Sequence, residues 1–177
     1  MRFHWQYGVA LFIGSVFSCK ALISKSSGSA DSRYTLAYNY ILDRHRNSLQ
    51  NRIVVADSIA YIEIAPFFEE LSIAWRKPKQ VVLHVLDSLD NANHFKPTYS
   101  KYLSHLKDYS SSDANAVLYF SENKGNIVAE VLSSEKSGLV KASYDQRLMF
   151  NIGVRYLFVF DKKGQILQVY NKTIQYN

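Results

Sequence analysis

The hydrophobic pattern is sharpest in the last third of the chain, where short apolar runs are separated by turn residues. The runs are Ala116–Phe120, Ile127–Leu132, Val154–Phe160 and Ile166–Tyr170. Four-residue turns ending in Gly125 and Gly164 join the first run to the second and the third to the fourth. Because glycine adopts the left-handed backbone that ends such a turn at little cost, the pattern predicts two antiparallel β-hairpins.

One of these runs differs from the others in its periodicity. From Tyr156 to Phe160 every residue is apolar, so side chains on both faces of the strand would be buried. The run Val154–Phe160 is therefore predicted to be a central strand of the sheet. Residues Tyr144 to Ile152 are predicted to add a further strand, with Gly153 as a bend or bulge.

Helical periodicity dominates the first two thirds of the chain. Helices are predicted at Ser32–Arg46, from Ala65 to before Pro78, at 79–90, and from Pro97 onward. The second of them carries proline in its first turn, where the N–H has no partner, and Glu69 and Glu70 at the positive end of its dipole.

Two β-rich runs, Ile53–Ala56 and Ile59–Ile64, flank the pair Asp57-Ser58 and predict another hairpin. Helices followed by an antiparallel sheet are typical of the α+β class. We therefore expect N-terminal and central helices packed on a C-terminal antiparallel sheet with two Gly-turn hairpins. The 177 residues favour one folded domain, which we place at 33–177.

Composition and charge narrow the class of protein further. With 47% hydrophobic and 20% charged residues, the chain has the composition of a folded globular protein. A single cysteine rules out an intramolecular disulfide framework and a multi-cysteine zinc site. The net charge of +6 is spread along the chain, whereas nucleic-acid binders concentrate Lys and Arg on one face. We therefore expect no nucleic-acid partner.

The N-terminus has a different organisation from the rest of the chain. A basic start at Arg2 precedes an apolar run from Tyr7 to Phe17, and small residues follow it at Ser18 and Cys19. This is the three-part layout of a secretory signal. The run has about half of the roughly twenty residues that a helix needs to span a bilayer.

The segment Val16-Phe17-Ser18-Cys19 resembles the bacterial lipobox. The resemblance implies that the chain is cut before Cys19 and that the thiol of Cys19 is acylated with lipid such as palmitate. Residues 1–18 would be the signal peptide, and 19–32 the lipidated cysteine and a flexible Ser-rich tether. A plain secretory signal, or a short uncleaved anchor with an incidental cysteine, is the alternative interpretation.

The lipobox resemblance also implies a location, which is the bacterial cell envelope, with the protein anchored in the outer membrane and facing the periplasm. The rest of the chain is similar to small uncharacterised bacterial lipoproteins, through Ile53–Ser58 and through Tyr156-Leu157-Phe158 and the ending Gln175-Tyr176-Asn177. That similarity implies nothing about chemistry.

Motifs that carry catalysis are absent from the sequence. It contains neither a Gly-x-Ser-x-Gly nucleophile elbow nor a His-Glu-x-x-His metal motif. We therefore expect no metal and no cofactor, and a binding protein in preference to an enzyme. The alternative is an envelope hydrolase whose site assembles only in three dimensions, around His84, His94 or His105 and a carboxylate.

Aromatic residues supply the remaining candidates for function. Phe95, Tyr99 and Tyr102 form one group, and polar-tipped aromatics are common at binding surfaces. They are also common in small cores, so a ligand groove and core packing both remain open. A second group, Tyr144, Tyr170 and Tyr176, is expected on the sheet. We predict a lipid-anchored protein that binds or scaffolds, with an envelope protein or cell-wall polymer as partner.

Overall fold

The computed structural model describes residues 30–45, 53–91, 96–106, 114–133, 144–149 and 151–176. The helices are α1 Ala30–His45, α2 Phe68–Trp75, α3 Lys79–Asn91, α4 Lys101–Ser104 and α5 Tyr144–Leu148, and a 3-10 turn at Ala65–Phe67 leads into α2. The strands are β1 Ile53–Ile59, β2 Thr98–Tyr99, β3 Ala116–Phe120, β4 Asn126–Ser133, β5 Ile152–Phe160 and β6 Ile166–Gln175. The predicted α+β class is confirmed.

The strands form one sheet in the order β2-β1-β3-β4-β5-β6. Both predicted glycine-turn hairpins, β3–β4 and β5–β6, are present and antiparallel. Gly125 and Gly164 have φ angles of 101° and 83°, in the region that other residues rarely adopt. Strand β5 is interior, flanked by β4 and β6, and both Leu157 and Phe158 are fully buried.

The predicted hairpin at Ile53–Ile64 is wrong. Strand β1 runs through Asp57 and Ser58 without turning, pairs in parallel with β3, and pairs antiparallel with β2 on its other edge. The backbone oxygen of Asp57 accepts a hydrogen bond from Ser100 N at 2.8 Å. Asp-Ser lacks the glycine that two-residue hairpin turns favour, so pairing with distant strands decides the conformation here.

The predicted strand from Tyr144 to Ile152 is also wrong, because α5 occupies most of that range. Asn151 ends the helical segment. Its N–H donates to Leu148 O at 3.3 Å, and its side-chain Nδ2 donates to Arg147 O at 3.0 Å. Gly153 is not a bulge either, since the β4–β5 register continues without a break to the pair Leu132–Gly153.

The helices predicted near 32–46, 65–77 and 79–90 are confirmed as α1, as the 3-10 turn with α2, and as α3. The helix predicted from Pro97 is shorter than expected, because β2 precedes α4. Helix α2 ends where Arg76 takes the left-handed conformation at φ 53°.

The helices lie on both faces of the sheet. Residues of α1 and α4 pack against one set of strand side chains, which includes Leu118, Ile127 and Phe158. Residues of α2, α3 and α5 pack against the opposite set, which includes Val117 and Leu157. Strands β3, β4 and β5 are therefore covered on both faces, and any polar side chain in the middle of them must be buried.

Candidate functional site

Two charged residues lie opposite each other in the middle of the sheet. Glu130 of β4 and Arg155 of β5 are directly paired in the strand register. Glu130 is fully buried and Arg155 nearly so. Arg155 Nη2 lies 2.9 Å from Glu130 Oε2, and its Nε donates to the same oxygen at 3.0 Å. The pair is a buried salt bridge on the face of the sheet that α2, α3 and α5 cover.

The remaining hydrogen-bonding capacity of this pair is used by three other segments of the chain. Tyr144 of α5 donates its hydroxyl to Glu130 Oε2 at 2.6 Å. Tyr176, just after β6, donates to Glu130 Oε1 at 2.5 Å. Arg155 Nη1 donates to the backbone oxygen of Glu63 at 2.9 Å. Because buried charges are costly unless they are paired and hydrogen-bonded, this matching is what allows them in the core.

The electrostatics of the cluster keep its tyrosines protonated. Burial raises the pKa of Tyr144 well above its usual range, and the negative charge of Glu130 raises it further. Burial raises the pKa of Tyr176 to about 12, with its hydrogen bond to Glu130 acting in the same direction. Burial alone lowers the pKa of Arg155, but Glu130 and the two tyrosines outweigh it and the net shift is upward. The phenols therefore act as hydrogen-bond donors, not as bases.

Gly153 provides the space in which the Glu130 carboxylate lies. A Cβ atom at position 153 would be 2.4 Å from Glu130 Oε1 and 2.7 Å from Leu132 Cδ2. Real Cβ atoms essentially never approach other atoms that closely. The glycine is required by this close approach, and not by the bend or bulge that the sequence predicts.

A second buried arginine lies beside the cluster. Arg147 of α5 is 5% exposed, and it interacts with the hydroxyl of Tyr119. Burial raises the pKa of Tyr119 to about 12, against the opposing effect of Arg147. The ring of Tyr119 meets that of Tyr144 edge-on at 5.1 Å. Within the described parts of the chain, Arg147 Nε and Nη2 have no hydrogen-bond partner.

The arrangement of hydrogen-bond donors around Glu130 holds its carboxylate in place. The described groups that contact the Glu130 carboxylate are one guanidinium and two phenols, all of which donate to it. Together with the Glu63 carbonyl they join β4, β5, α5, the loop after β1 and the segment after β6. The cluster therefore ties separate segments together and carries no free nucleophile of its own.

The predicted ligand-binding and lipidation residues lie elsewhere. Cys19 and Phe95 are outside the described residues. Tyr99 lies on β2 with 68% of its surface exposed, and Tyr102 lies on α4, also exposed. These two tyrosines are not core residues, and they do not join the buried cluster. The proposed groove around them stays a prediction.

His84 and His105, the two described histidines of the three considered for a hydrolase, are not gathered into a site. His84 and His105 are both exposed, and His94 is outside the described residues. Neither His84 nor His105 forms a hydrogen bond or ion pair with a carboxylate in the part of the chain that the structure describes. Of the second tyrosine group, Tyr144 and Tyr176 contact Glu130, and Tyr170 packs at the edge of the same apolar cluster.

The sequence analysis missed Glu130, Arg155 and Arg147, although two of them left a signal. Glu130 lies two residues after Val128 and two before Leu132, so all three side chains point to one face of an otherwise apolar strand. Arg155 interrupts the next apolar strand in the same way. Opposite charges in the middle of two buried strands predict a pair whenever the strands are neighbours.

Comparisons with known proteins do not assign the chain to a family. No family model, no curated protein and no solved structure matches the chain. The described ranges contain no group of three or more His, Cys, Asp or Glu residues arranged to hold a metal ion. Over the same ranges, every helix is too short or too polar to cross a membrane.

Proposed function

We propose that this protein is a bacterial lipoprotein, anchored to the cell envelope by lipid on Cys19, that binds or scaffolds another envelope component. The observation that carries the proposal is the segment Val16-Phe17-Ser18-Cys19 at the end of a short apolar run. The location we propose is the outer membrane, with the folded domain facing the periplasm. Acylation would occupy the sulfur of Cys19 and exclude it as a nucleophile.

The distance along the chain between the anchor and the folded domain supports this arrangement. Ten residues lie between Cys19 and Ala30, where α1 begins. Fully extended, such a stretch reaches about 36 Å. A tether of that reach lets the domain stand off the bilayer or turn different faces toward it.

The buried cluster supports a binding role over a catalytic one. Glu130 and Arg155 have their hydrogen bonds satisfied inside the protein, so they stabilise the fold and present no reactive group. We assign the binding role to the described surface. The exposed hydroxyl-bearing rings of Tyr99 and Tyr102 are suited to contact a protein or a cell-wall polymer.

The anchor is tested by substituting its cysteine. In cells producing the full chain with a Cys19→Ala substitution, we expect loss of labelling by a palmitate analogue and release of the protein from the membrane fraction. Lys20→Ala, one residue further on, serves as the control and should stay labelled and membrane-bound. A Cys19→Ala protein that remains quantitatively in the membrane after a salt wash would contradict the lipid anchor.

The binding role is tested with isolated cell-wall sacculi as the probe. We expect the full chain to sediment with sacculi and the double variant Tyr99→Ala, Tyr102→Ala to do so less. Leu167→Ala is a matched control, because Leu167 has the same 68% exposure as Tyr99 but lies on β6 at the opposite edge of the sheet. Equal sedimentation of all three proteins would refute the role of the tyrosines.

A further inference from the structure

Residues 73–81, which join α2 to α3, form an exposed corner of the domain. We call them the α2–α3 corner. Eight of the nine residues are exposed, and Ile73 has 80% of its surface in solvent although it is a large apolar residue. Trp75 is partly exposed and packs with its other side against the buried cluster under α2 and α3. Val81 is a second exposed apolar side chain. Apolar side chains that are exposed together mark surfaces that contact a protein or a membrane.

The same nine residues carry three cations and no acid, with Arg76, Lys77 and Lys79 around Pro78. Lys79 Nζ lies 2.6 Å from Glu69 Oε1, but both groups are about half exposed, so solvent weakens this pair. No described acid forms a salt bridge with Arg76 or Lys77. The corner is therefore positively charged as well as apolar.

The shape of the corner is fixed by hydrogen bonds. Arg76 N donates to Ile73 O at 3.2 Å, and Lys77 N donates to Ser72 O at 3.1 Å. In return, the Ser72 hydroxyl donates to Lys77 O at 2.6 Å. Arg76 holds the left-handed conformation that closes the end of α2. A fixed corner loses little conformational freedom when it meets a surface.

We propose that the α2–α3 corner docks on the surface of a bilayer containing anionic phospholipids. Ile73 would enter the boundary between headgroups and acyl chains. The exposed part of Trp75, whose ring also packs against the core, would lie at the level of the headgroups, where tryptophan is favoured. Arg76 and Lys77 would lie against lipid phosphates, because basic residues are attracted to anionic membrane surfaces. The inference rests on the proposed membrane location, since an anchor at Cys19 keeps the corner near lipid and makes a weak contact effective.

Charge complementarity favours lipid over the other partners of such a surface. A second copy of the chain meeting corner to corner would oppose like charges. A soluble anionic polymer would satisfy Arg76 and Lys77 but leave Ile73 in water. An anionic bilayer is the partner that provides both negative charge and an apolar layer.

Vesicle sedimentation tests the contact. The full chain with Cys19→Ala is mixed with vesicles of phosphatidylcholine alone, or with about one third phosphatidylglycerol. The corner variant adds Ile73→Ser, Arg76→Asn and Lys77→Gln, in which asparagine is chosen because it tolerates the left-handed conformation. The N-terminal apolar run contributes the same background to every protein, so the quantity compared is the increase in binding caused by anionic lipid.

The matched control variant carries Leu167→Ser, Lys162→Gln and Lys163→Gln, which remove the same charge and a similarly exposed apolar side chain near the β5–β6 turn. Each basic residue near an anionic membrane strengthens binding about fivefold. Because the corner variant lacks two of them, we expect the increase in binding caused by anionic lipid to be roughly 25-fold smaller than in the parent protein. The control should keep its binding, and high salt should remove the difference. Circular dichroism and the urea midpoint verify that both variants are folded.

Tryptophan fluorescence gives a second, positional measurement. The chain has two tryptophans, so Trp5→Phe leaves Trp75 as the sole reporter, inside the corner. Brominated lipids should quench Trp75 on anionic vesicles and not on neutral ones. Unquenched fluorescence on vesicles that bind the protein, or equal loss of binding in the corner and control variants, would overturn the proposal.

The remaining outcomes identify other partners. Loss of binding to soluble polyphosphate in the corner variant, without quenching by lipid, would assign the surface to a polymer and overturn the lipid contact. A concentration-dependent dimer that Ile73→Ser abolishes would assign it to a second copy. Palmitate labelling at Cys19 combined with a corner that does not bind vesicles leaves the anchor standing and removes only this inference.

Discussion

The two faces of the sheet use the same strands but are stabilised by different interactions. On the face that α1 covers, the ring of Phe158 stacks between Tyr156 and Phe160 and meets Tyr40 edge-on at 5.6 Å. The buried charged residue of this face is Arg33, which lies over the ring of Phe160 at 5.1 Å and donates from Nη1 to Asn123 Oδ1 at 3.2 Å. The opposite face buries a complete salt bridge in its middle.

This difference predicts how each face responds to change. An apolar face loses stability in proportion to the atoms removed and the cavity left behind. A buried ion pair responds to the loss of one partner as a whole, because the other charge is left in the core without compensation. Mutations that resemble each other in size should therefore have different consequences on the two faces.

The largest effect is expected for Glu130→Ala. Removing one partner of a buried pair costs about 3–5 kcal/mol, and Tyr144 and Tyr176 each lose an acceptor at about 1 kcal/mol more. The total is comparable with the 5–15 kcal/mol stability of a whole domain. Urea unfolding followed by circular dichroism measures it, and Glu130→Gln provides a milder variant if the alanine protein does not fold.

A double variant separates the charge from the volume it occupies. Glu130→Leu with Arg155→Met replaces the pair by apolar side chains and leaves no uncompensated charge. We expect it to be more stable than either single variant by about 2 kcal/mol or more, as buried pairs elsewhere tolerate such exchange. If the free-energy costs of Glu130→Leu and Arg155→Met simply add up in the double variant, the two residues are not energetically coupled. The contrast between the two faces would then fail.

The α1 face is tested by Phe158→Ala. Phe158 is fully buried, so truncation should cost about 3–5 kcal/mol once the cavity is counted. Lys163→Ala, in the exposed β5–β6 turn, should leave the urea midpoint almost unchanged. Equal midpoints for these two variants would show that Phe158 does not contribute to the core.

Gly153→Ala sharpens the comparison on the charged face. Its Cβ would push the Glu130 carboxylate out of position, and overpacking of this kind costs about 1–3 kcal/mol. In a Glu130→Ala background the added methyl meets no carboxylate, so the cost should fall, although Leu132 Cδ2 remains close. The same cost in both backgrounds would argue that the glycine serves another purpose.

Alkaline pH is expected to act on both faces of the sheet at once. Burial raises the pKa of Tyr34 on the α1 face, and of Tyr119 and Tyr176 on the other face, from 10 to about 12. Between those values tyrosines of the unfolded chain lose protons first, which favours unfolding. Stability should be complete below pH 10 and decline as pH approaches 12.

Urea midpoints taken from pH 8 upward, together with the ultraviolet absorbance of tyrosinate, measure this decline. Tyr34→Phe removes one of these groups, together with its 2.9 Å hydrogen bond to Ser121 O, and should make the decline shallower. A midpoint that stays constant to pH 12 would contradict the burial of all three phenols.

Local interactions explain which parts of the fold the sequence predicted. The hairpins depend on Gly125 and Gly164 within their own turns, so the pattern of neighbouring residues is sufficient. The local pattern of β1 predicts a hairpin, because its partner β3 lies more than fifty residues away in the chain. The local pattern of α5 predicts a strand, because the helix contributes Tyr144 and Arg147 to a tertiary cluster that its own short sequence does not encode.

The candidate site was less predictable than the fold for the same physical reason. The partners of Glu130 lie 14, 25 and 46 residues away, at separations with no helical or strand periodicity. What the sequence does contain is the position of Glu130 and Arg155, each of which points to the same face of its strand as buried apolar neighbours. This position indicates that both side chains are buried, and the strand order then places them opposite each other as a pair. Tyr99 and Tyr102 were identified from composition, which does not distinguish an exposed edge from a groove.

The groups that bind Glu130 and Arg155 are far apart in the sequence, and this affects the order of folding. Its groups come from positions as distant as Glu63 and Tyr176, and bringing such positions together has a large loop-closure entropy. Until they meet, Glu130 and Arg155 remain hydrated, and the unpaired strands carry charges that discourage aggregation. Interactions that form after the transition state act mainly on the rate of unfolding. We therefore expect Glu130→Ala to raise the rate of unfolding more than it lowers the rate of folding.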